Sequence, residues 1–230
     1  MEICKINGQS VYDDRSIFLN CDCMEGMREF PDKFFDLALV DPPYRNEEDN
    51  QPTKDMRKNG SMKTFGNKPD ERYFNELFRV SKNQIIWGAN NFKLPEYKGF
   101  VVWKKLTISD GFTMSMAELA FVSEGLATTS KIFEYAPQGT KQDPRVHPTQ
   151  KPIALYTWLL QNYAKRGDKI LDTHVGSASS LIACHRMGFE YWGFELDADY
   201  YKAASERIAK EKSQLTIFEA TEHAEQIALI

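Results

Sequence analysis

The sequence predicts an α/β protein built on a mostly parallel β-sheet. The clearest evidence is the last third of the chain, where strand-like segments at 169–172 and 191–194 alternate with helix-like segments at 178–187 and 199–211. Such alternation is typical of parallel strands that are connected by helices. A second observation is the unbroken apolar segment 34–40, which fits a strand buried on both faces. In sheets of this kind, ligands bind beside the carboxyl ends of the strands.

The remaining elements are predicted from apolar periodicity and from the turn residues between segments. Helices are predicted at 23–30, 71–81 and 153–164, and strands at 84–87, 99–103, 118–123 and 131–135. Residues 45–70 lack apolar periodicity and are rich in Asn, Asp, Lys and Gly, so a long mobile loop is expected there. Long loops in compact domains are often lids or binding loops. The polar segment from residue 212 is expected to fray.

Composition limits the size and class of the protein. The chain has 230 residues, 42% of them hydrophobic, and a net charge of -4, which suits one well-packed domain over 1–230. This charge disfavours a general nucleic-acid coating protein but is compatible with DNA binding, which needs only a local basic surface. The sequence contains no apolar segment of the roughly 18 residues that span a bilayer, and residues 1–10 do not resemble a secretory signal. A cytoplasmic location without a membrane partner is therefore expected.

Neither the cysteines nor the histidines form a metal-binding pattern. The four cysteines, Cys4, Cys21, Cys23 and Cys184, include no C-x-x-C pair, and the four histidines form no H-E-x-x-H motif. We therefore expect no metal in the site and no disulfide framework.

The chemically most distinctive motif is Asp41-Pro42-Pro43-Tyr44, directly after the predicted strand 34–40. The two prolines fix two backbone φ angles and remove two donors, which leaves carbonyl groups in set directions. The Asp41 carboxylate and a proline carbonyl can together accept the two hydrogens of an amino group, and Tyr44 offers a flat face on which a base can stack. Taken alone, the motif fits a rigid Asp-Pro turn equally well.

A second motif, residues 171–180 (LDTHVGSASS), joins a strand end, a loop of small residues and a helix start. Small residues let a ligand approach the backbone, and a helix N-terminus favours a carboxylate. Glu195, at the end of the next predicted strand, can accept both hydroxyls of a ribose. Because the loop lacks G-x-G-x-x-G, a methionine-type moiety with adenosine beyond it fits better than a pyrophosphate cofactor. The loop alone is also consistent with a tight strand-to-helix turn.

Two further motifs are less specific. Residues 147–152 (HPTQKP) precede a predicted helix, and Lys151 could pair with a cofactor carboxylate, although a capped helix start with a solvated lysine is favoured when the motif is taken alone. Asp22, in the segment 20–23 (NCDC), could accept a hydrogen bond from an adenine amino group and is equally a candidate helix N-cap.

The order of these motifs resembles that of the amino-group DNA methyltransferases of the β arrangement, in which the catalytic motif precedes the cofactor motif. Segment 20–30 resembles the one that precedes D-P-P-Y in that family. Segments 87–92 (WGANNF) and 117–121 (AELAF) resemble those of the small phage or prophage adenine methylases. The resemblance covers about residues 18–208. One departure is Ala178, where the family loop has the second glycine of G-S-G.

The resemblance implies a Rossmann-like methyltransferase fold that uses S-adenosylmethionine, with a mostly parallel seven-stranded sheet and a circularly permuted motif order. The cofactor-binding residues that it implies are Asp22, Thr149, Lys151, Asp172, Gly176, Ser177 and Glu195. The catalytic residues that it implies are Asp41, Pro42, Pro43 and Tyr44. The implied activity is site-specific methylation of the exocyclic amino group of a base flipped out of double-stranded DNA, with adenine N6 favoured over cytosine N4.

Target recognition is assigned to a small insertion at about 106–146 and to the loop 45–70. The basic residues of this loop, among which acidic ones are interleaved as in a solvated loop, are Lys54, Arg57, Lys58, Lys63 and Lys68. A homodimer and a role in restriction-modification stay open. Two alternatives remain: a methyltransferase acting on RNA or on a protein glutamine, which more often has the opposite motif order, and a non-catalytic DNA-binding subunit, for which Ala178 is the only sequence hint.

Overall fold

The computed structural model describes residues 5–6, 9–10, 15–46, 66–112, 114–137 and 145–228. Side chains are described between residues 15 and 214. Most of the predicted loop 45–70 lies outside the described residues, including Lys54, Arg57, Lys58 and Lys63. Residues 138–144 of the predicted insertion 106–146 also lie outside them.

The described part of the chain contains ten strands and five α-helices, together with a 3-10 turn at Ala89–Asn91. The strands are β1 (Lys5–Ile6), β2 (Gln9–Ser10), β3 (Ser16–Asn20), β4 (Phe35–Val40), β5 (Ser81–Trp87), β6 (Phe100–Lys104), β7 (Ala117–Val122), β8 (Lys131–Glu134), β9 (Lys169–Asp172) and β10 (Glu190–Glu195). The helices are α1 (Cys23–Arg28), α2 (Glu71–Val80), α3 (Ile153–Tyr163), α4 (Ser179–Arg186) and α5 (Ala198–Ala228).

Eight of these strands form one sheet in the order β3-β10-β9-β4-β5-β7-β6-β8, while β1 and β2 pair separately. All neighbours in the large sheet are parallel except β7, which is antiparallel to both β5 and β6. The predicted α/β fold with a mostly parallel sheet is thus confirmed. The sheet has one strand more than the seven expected. The strand that the apolar patterns did not predict is β3, at one edge of the sheet, whereas β8 matches the strand predicted at 131–135. Strand β4 from the first half of the chain lies beside β9 from the last third, as the permuted motif order requires.

Both faces of the sheet are covered, and this explains the apolar segment at β4. Leu37 and Leu39 face a layer built from α3, α4 and α5, whereas Ala38 and Val40 face α1 and α2. A strand with two buried faces has no position for a polar side chain, so its sequence is continuously apolar instead of alternating. The same packing holds the carboxyl end of β4 in a fixed position.

Local capping interactions determine where several helices begin and end. The Asp22 side chain accepts a hydrogen bond of 2.7 Å from the Met24 N–H and caps α1, and Asp70 caps α2 by accepting from the Arg72 N–H at 2.9 Å. Gly188 follows α4 with a φ of +72°, a conformation that favours glycine. Helix α5 continues to Ala228, well past the predicted fraying point, because Ala, Glu, Lys and Gln dominate this segment and are good helix formers.

Within the described ranges, no helix is both long enough and apolar enough to cross a bilayer. The described residues likewise contain no group of three or more His, Cys, Asp and Glu side chains that could hold a metal ion.

Candidate active site

Four acidic residues line the carboxyl edge of the sheet. Asp172 and Glu195 are the last residues of β9 and β10, and Asp41 and Asp22 follow β4 and β3 closely. These four strands are consecutive neighbours in the sheet, so residues from both ends of the chain meet along one edge. This edge is where parallel α/β sheets bind ligands.

Asp41 is held by two donors, one on each carboxylate oxygen. The Tyr44 hydroxyl donates to Oδ1 at 2.5 Å, and the Lys151 ammonium donates to Oδ2. Pro42 is buried and Pro43 half-buried, and together they turn the chain so that Tyr44 reaches back to the carboxylate. The Tyr44 ring packs directly over Gly88, where an added Cβ would lie 2.2 Å from a ring carbon. The end of β5 therefore needs glycine for Tyr44 to occupy this position.

Lys151 belongs to a buried group of ionic side chains that we call the ion cluster: Asp41, Glu118, Lys105 and Lys151. Its ammonium lies 3.0 Å from Glu118 Oε2, and the ammonium of Lys105 lies 2.6 Å from Glu118 Oε1. Lys151 and Lys105 are only 4% and 7% exposed. With two groups of each sign, the cluster is electrically balanced, as burial of charges requires.

The two carboxylates of the ion cluster differ in their ionisation. Burial by itself would raise the pKa of Glu118, but the ammonium groups of Lys151 and Lys105 outweigh it and lower that pKa to about 2. Burial raises the pKa of Asp41, and Glu118 adds to this rise while Lys151 opposes it. Burial also raises the pKa of Tyr44 well above its ordinary value, and the Asp41 charge adds to the effect, so the hydroxyl stays protonated as a donor. Glu118 is therefore a fixed anion, whereas Asp41 is the more easily protonated of the two carboxylates.

The position of Lys151 corrects the sequence-based expectation. It is buried against Asp41, Glu118 and the Tyr44 hydroxyl, so the solvated lysine that the motif alone favoured is wrong, while its contact with a cofactor carboxylate stays a prediction. Neighbouring Glu118 was not predicted as a site residue at all. The available signal was an acidic residue at the start of an otherwise apolar strand, β7, beside the buried Lys105.

Asp172 is the most deeply buried acidic residue of the edge, at 2% exposure. Its Oδ2 accepts from the Ser180 hydroxyl, and its Oδ1 accepts from the His174 N–H at 3.0 Å. Burial raises the pKa of Asp172 to about 7 despite these donors. Asp172 thus ties the loop after β9 to the first turn of α4, and shapes the loop that the sequence assigned to a cofactor.

Glu195 closes the other side of this loop. Its Oε2 accepts from the Gly176 N–H at 2.8 Å, and its Oε1 accepts from the Asp197 N–H at 2.9 Å. Burial raises the pKa of Glu195, although these backbone donors oppose the rise. The structure therefore brings together Asp172, Gly176 and Glu195, three of the predicted cofactor residues.

Ser177 and Ala178 complete the turn into α4. Ser177 is buried, and its carbonyl accepts a 2.6 Å hydrogen bond from the Arg207 guanidinium. Ala178, where the resemblance leads us to expect the second glycine of G-S-G, is fully buried with a φ of +62°. This left-handed conformation costs an L-residue about 1–2 kcal/mol, so glycine would be less strained at this position.

The segment 147–152 connects the two halves of the site. The His147 ring lies edge-on against Tyr200, with centroids 4.3 Å apart, and would be 3.5 Å from a Cβ at Gly176. Burial, with nearby Arg145 and Lys151, lowers the pKa of His147 to about 4. Thr149 is exposed, and its hydroxyl lies 3.1 Å from His147 Nδ1. The segment thus contacts the cofactor loop at its start and the ion cluster at its end.

Asp22 lies at the far end of the row of acidic residues. One of its oxygens caps α1, so the N-cap interpretation of this residue is correct. The same position at the end of β3 keeps it on the ligand-binding edge, and its predicted contact with an adenine amino group stays a prediction.

The site thus combines a D-P-P-Y turn with a neighbouring loop of small residues bounded by Asp172 and Glu195, at the edge of an α/β sheet. This combination is typical of amino-group methyltransferases. The model of the DNA methylase family N6_N4_Mtase matches residues 54–206 of this chain, so the chain belongs to that family.

The methylase YubD of Escherichia coli (strain K12) is 27% identical over 213 residues, covering 84% of this chain and 90% of that protein. The type II methyltransferase M2.DpnII of Streptococcus pneumoniae is 30% identical over 135 residues, which cover 58% of this chain and 44% of that protein.

Solved structures of methyltransferases share the fold. M1.HpyAVI, crystallised in complex with S-adenosylmethionine, superposes with a TM-score of 0.57 at 17% identity, covering 83% of this chain and 98% of that one. The cytosine-N4-specific PvuII DNA methyltransferase superposes with a TM-score of 0.60 at 10% identity, covering 84% and 86%. At these identities, the similarity establishes the fold.

Proposed function

We propose that this DNA methylase transfers the methyl group of S-adenosylmethionine to the exocyclic amino group of a base flipped out of double-stranded DNA, namely adenine N6. The observation that carries the proposal is the pairing of β4 with β9. It places the Asp41 carboxylate, an acceptor for an amino group, next to the loop between Asp172 and Glu195.

The residues of that loop fit S-adenosylmethionine by their donor and acceptor chemistry. Each Glu195 oxygen accepts one backbone N–H, and a carboxylate oxygen has a second acceptor site, which suits a ribose hydroxyl. Gly176 and Ser177 have small side chains that let a ligand approach the backbone. When bound there, S-adenosylmethionine supplies a methyl group already activated on a sulfonium.

The task of Asp41 is to accept a hydrogen bond from the target amino group and so to direct the nitrogen lone pair. Both of its oxygens now carry donors from the protein, Tyr44 and Lys151. Each oxygen also has a second acceptor site, so an amino group can bind beside these donors, or one of the donors can give up its place. Tyr44 is the one that can do so at low cost, because its hydroxyl is neutral and its ring can turn to stack on the base. Precise alignment of donor and acceptor is then the main contribution of the protein to the rate.

Extrusion of the base from the duplex costs a few kcal/mol in lost stacking and pairing. Stacking of the flipped base on Tyr44 offsets part of this cost. Phe92 supports the Tyr44 ring edge-on at a centroid distance of 6.1 Å. Lys151 adds a cation 5.7 Å from the centre of the same ring.

The test is methylation of unmodified duplex DNA by the purified chain with S-adenosylmethionine, followed by digestion to nucleosides and mass spectrometry. We expect N6-methyldeoxyadenosine with the parent chain and none with Asp41→Asn. N4-methyldeoxycytidine would instead support the second candidate, cytosine N4 methylation, which the similarity to the PvuII structure favours. Retained S-adenosylmethionine binding without any methylated DNA base, with parallel assays on RNA and protein, would refute the proposal and indicate a non-catalytic subunit or another acceptor.

A further inference from the structure

We propose that Glu118 is a positioning residue for the methyl transfer: by holding Lys151 and Lys105 together, it balances the charge around Asp41 and keeps this carboxylate able to exchange its donors. The inference rests on the proposed function, and it adds two residues, Glu118 and Lys105, to which the sequence motifs assign no role.

The geometry places Glu118 between two cations. One carboxylate oxygen lies 3.0 Å from Lys151 and the other 2.6 Å from Lys105, and β7 holds the residue opposite Trp103 of β6. Lys151 in turn contacts Asp41, so Glu118 and Asp41 share one ammonium. The Tyr44 hydroxyl is also 3.4 Å from Glu118 Oε2. Glu118 therefore touches both donors of Asp41 without touching Asp41 itself.

This arrangement has a consequence for the binding of a target amino group. Without Glu118, Asp41 would be the carboxylate of the ion cluster that pairs with Lys151. A buried ammonium group with a single carboxylate partner binds that partner tightly, so Lys151 would not release Asp41. Glu118 gives Lys151 and the Tyr44 hydroxyl a second acceptor. Asp41 can then release one donor when a base arrives, while the released donor stays satisfied.

The groups that face Asp41 come from several elements. Lys151 precedes α3, Glu118 is on β7, and Tyr44 belongs to the same turn as Asp41. The further titratable groups that interact with Asp41 are Tyr156 on α3, Asp172 on β9 and Tyr73 on α2. The tyrosines are neutral with raised pKa values, so the charged groups around Asp41 are Glu118, the lysines of the ion cluster and, where it is ionised, Asp172.

Three variants separate charge balance from packing. Glu118→Gln keeps the shape but leaves two cations with one anion, Lys105→Gln leaves two anions with one cation, and the double variant restores balance with one of each. The measurement is kcat for DNA methylation against pH at saturating S-adenosylmethionine, so that titration of Asp172 or Glu195 affects cofactor binding and not this profile.

We expect the acid limb of the profile to move to lower pH in Glu118→Gln, by about one pH unit, because Asp41 loses a neighbouring anion. The limb moves to higher pH in Lys105→Gln and returns close to its parental position in the double variant. A purely structural role of Glu118 predicts that kcat falls by the same factor at every pH. It also predicts that kcat of the double variant is no higher than that of the less active single variant. Either that result or an unshifted limb in Glu118→Gln overturns the inference. If Glu118→Gln does not fold, the acid limb of Lys105→Gln is compared with that of the double variant. A limb at lower pH in the double variant supports the inference, and identical limbs overturn it.

A second readout does not depend on activity. The 13C resonance of the Asp41 side-chain carboxyl, assigned with Asp41→Asn, reports its titration directly. A lower midpoint in Glu118→Gln than in the parent supports the role of Glu118 even if the parent methylates no DNA, in which case only the proposed function fails. An unchanged midpoint refutes the role even if the parent is fully active.

Discussion

Replacement of Lys151 by methionine tests how strongly the ion cluster holds the two halves of the site together. At 3.0 Å and an effective dielectric constant of about 20, the attraction between Lys151 and Glu118 is about 5 kcal/mol, and the contact with Asp41 is of similar size. Methionine no longer carries the desolvation cost of a buried ammonium, which is several kcal/mol and offsets part of this loss. We expect a net loss of about 3–5 kcal/mol in the free energy of unfolding, as found when one partner leaves a buried ion pair.

The assay is urea unfolding at pH 7.5 with Lys104→Met as the matched control. Lys104 pairs with Glu134 at 2.7 Å, but the two side chains are 58% and 50% exposed, so this pair contributes at most about 1 kcal/mol. A loss in Lys151→Met that is no larger than that of the control would show that the buried contacts have no energetic weight, and would refute the reasoning.

The deficit of Lys151→Met should also depend on pH. Burial raises the pKa of Asp41 and Lys151 opposes the rise, so without Lys151 the folded-state pKa lies further above the unfolded value. A folded carboxyl with a raised pKa favours the native state at low pH and loses this contribution as pH rises through the folded pKa. The difference between Lys151→Met and the parent should therefore be smallest in acid, near the ordinary Asp pKa value of 3.8, and grow towards neutral pH.

Three further predictions concern individual residues of the site. Asp41→Asn should abolish methyl transfer yet leave the S-adenosylmethionine dissociation constant within about threefold in calorimetry, since the loop at Glu195 is unaltered; activity close to that of the parent would contradict the assignment. Glu195→Ala should weaken S-adenosylmethionine binding by about 1.5–3 kcal/mol, and an unchanged dissociation constant would reduce Glu195 to a loop-capping residue. Burial lowers the pKa of His174 from 6.5 to about 4, so the stability that the neutral imidazole provides is lost as pH falls from 6.5 to 4. His174→Gln should therefore flatten the dependence of Tm on pH in this range. A curve parallel to that of the parent would argue against a buried neutral imidazole.

The helices and strands near the site were predictable because local patterns determine them. The segment 34–40 is apolar throughout since β4 is buried on both faces, and the alternation after residue 168 reflects strands connected by helices. The apolar strand segments that precede them were enough to place Asp41, Asp172 and Glu195 at strand ends. Strand β3 was missed from sequence, because only Ile17 and Leu19 of its five residues are buried and its place at the sheet edge depends on pairing with the distant strand β10.

The amino-acid sequence by itself thus determined the fold class, the ends of most strands and the acidic residues at those ends. Tertiary structure decided which of these groups interact. Lys151 is separated from Asp41 by 110 positions, and only the parallel pairing of the sheet and the packing of α3 bring the two together. Glu118 and Lys105 have no recognisable motif; their importance arises from burial, which makes each charge depend on its neighbours, and burial is a property of the folded chain.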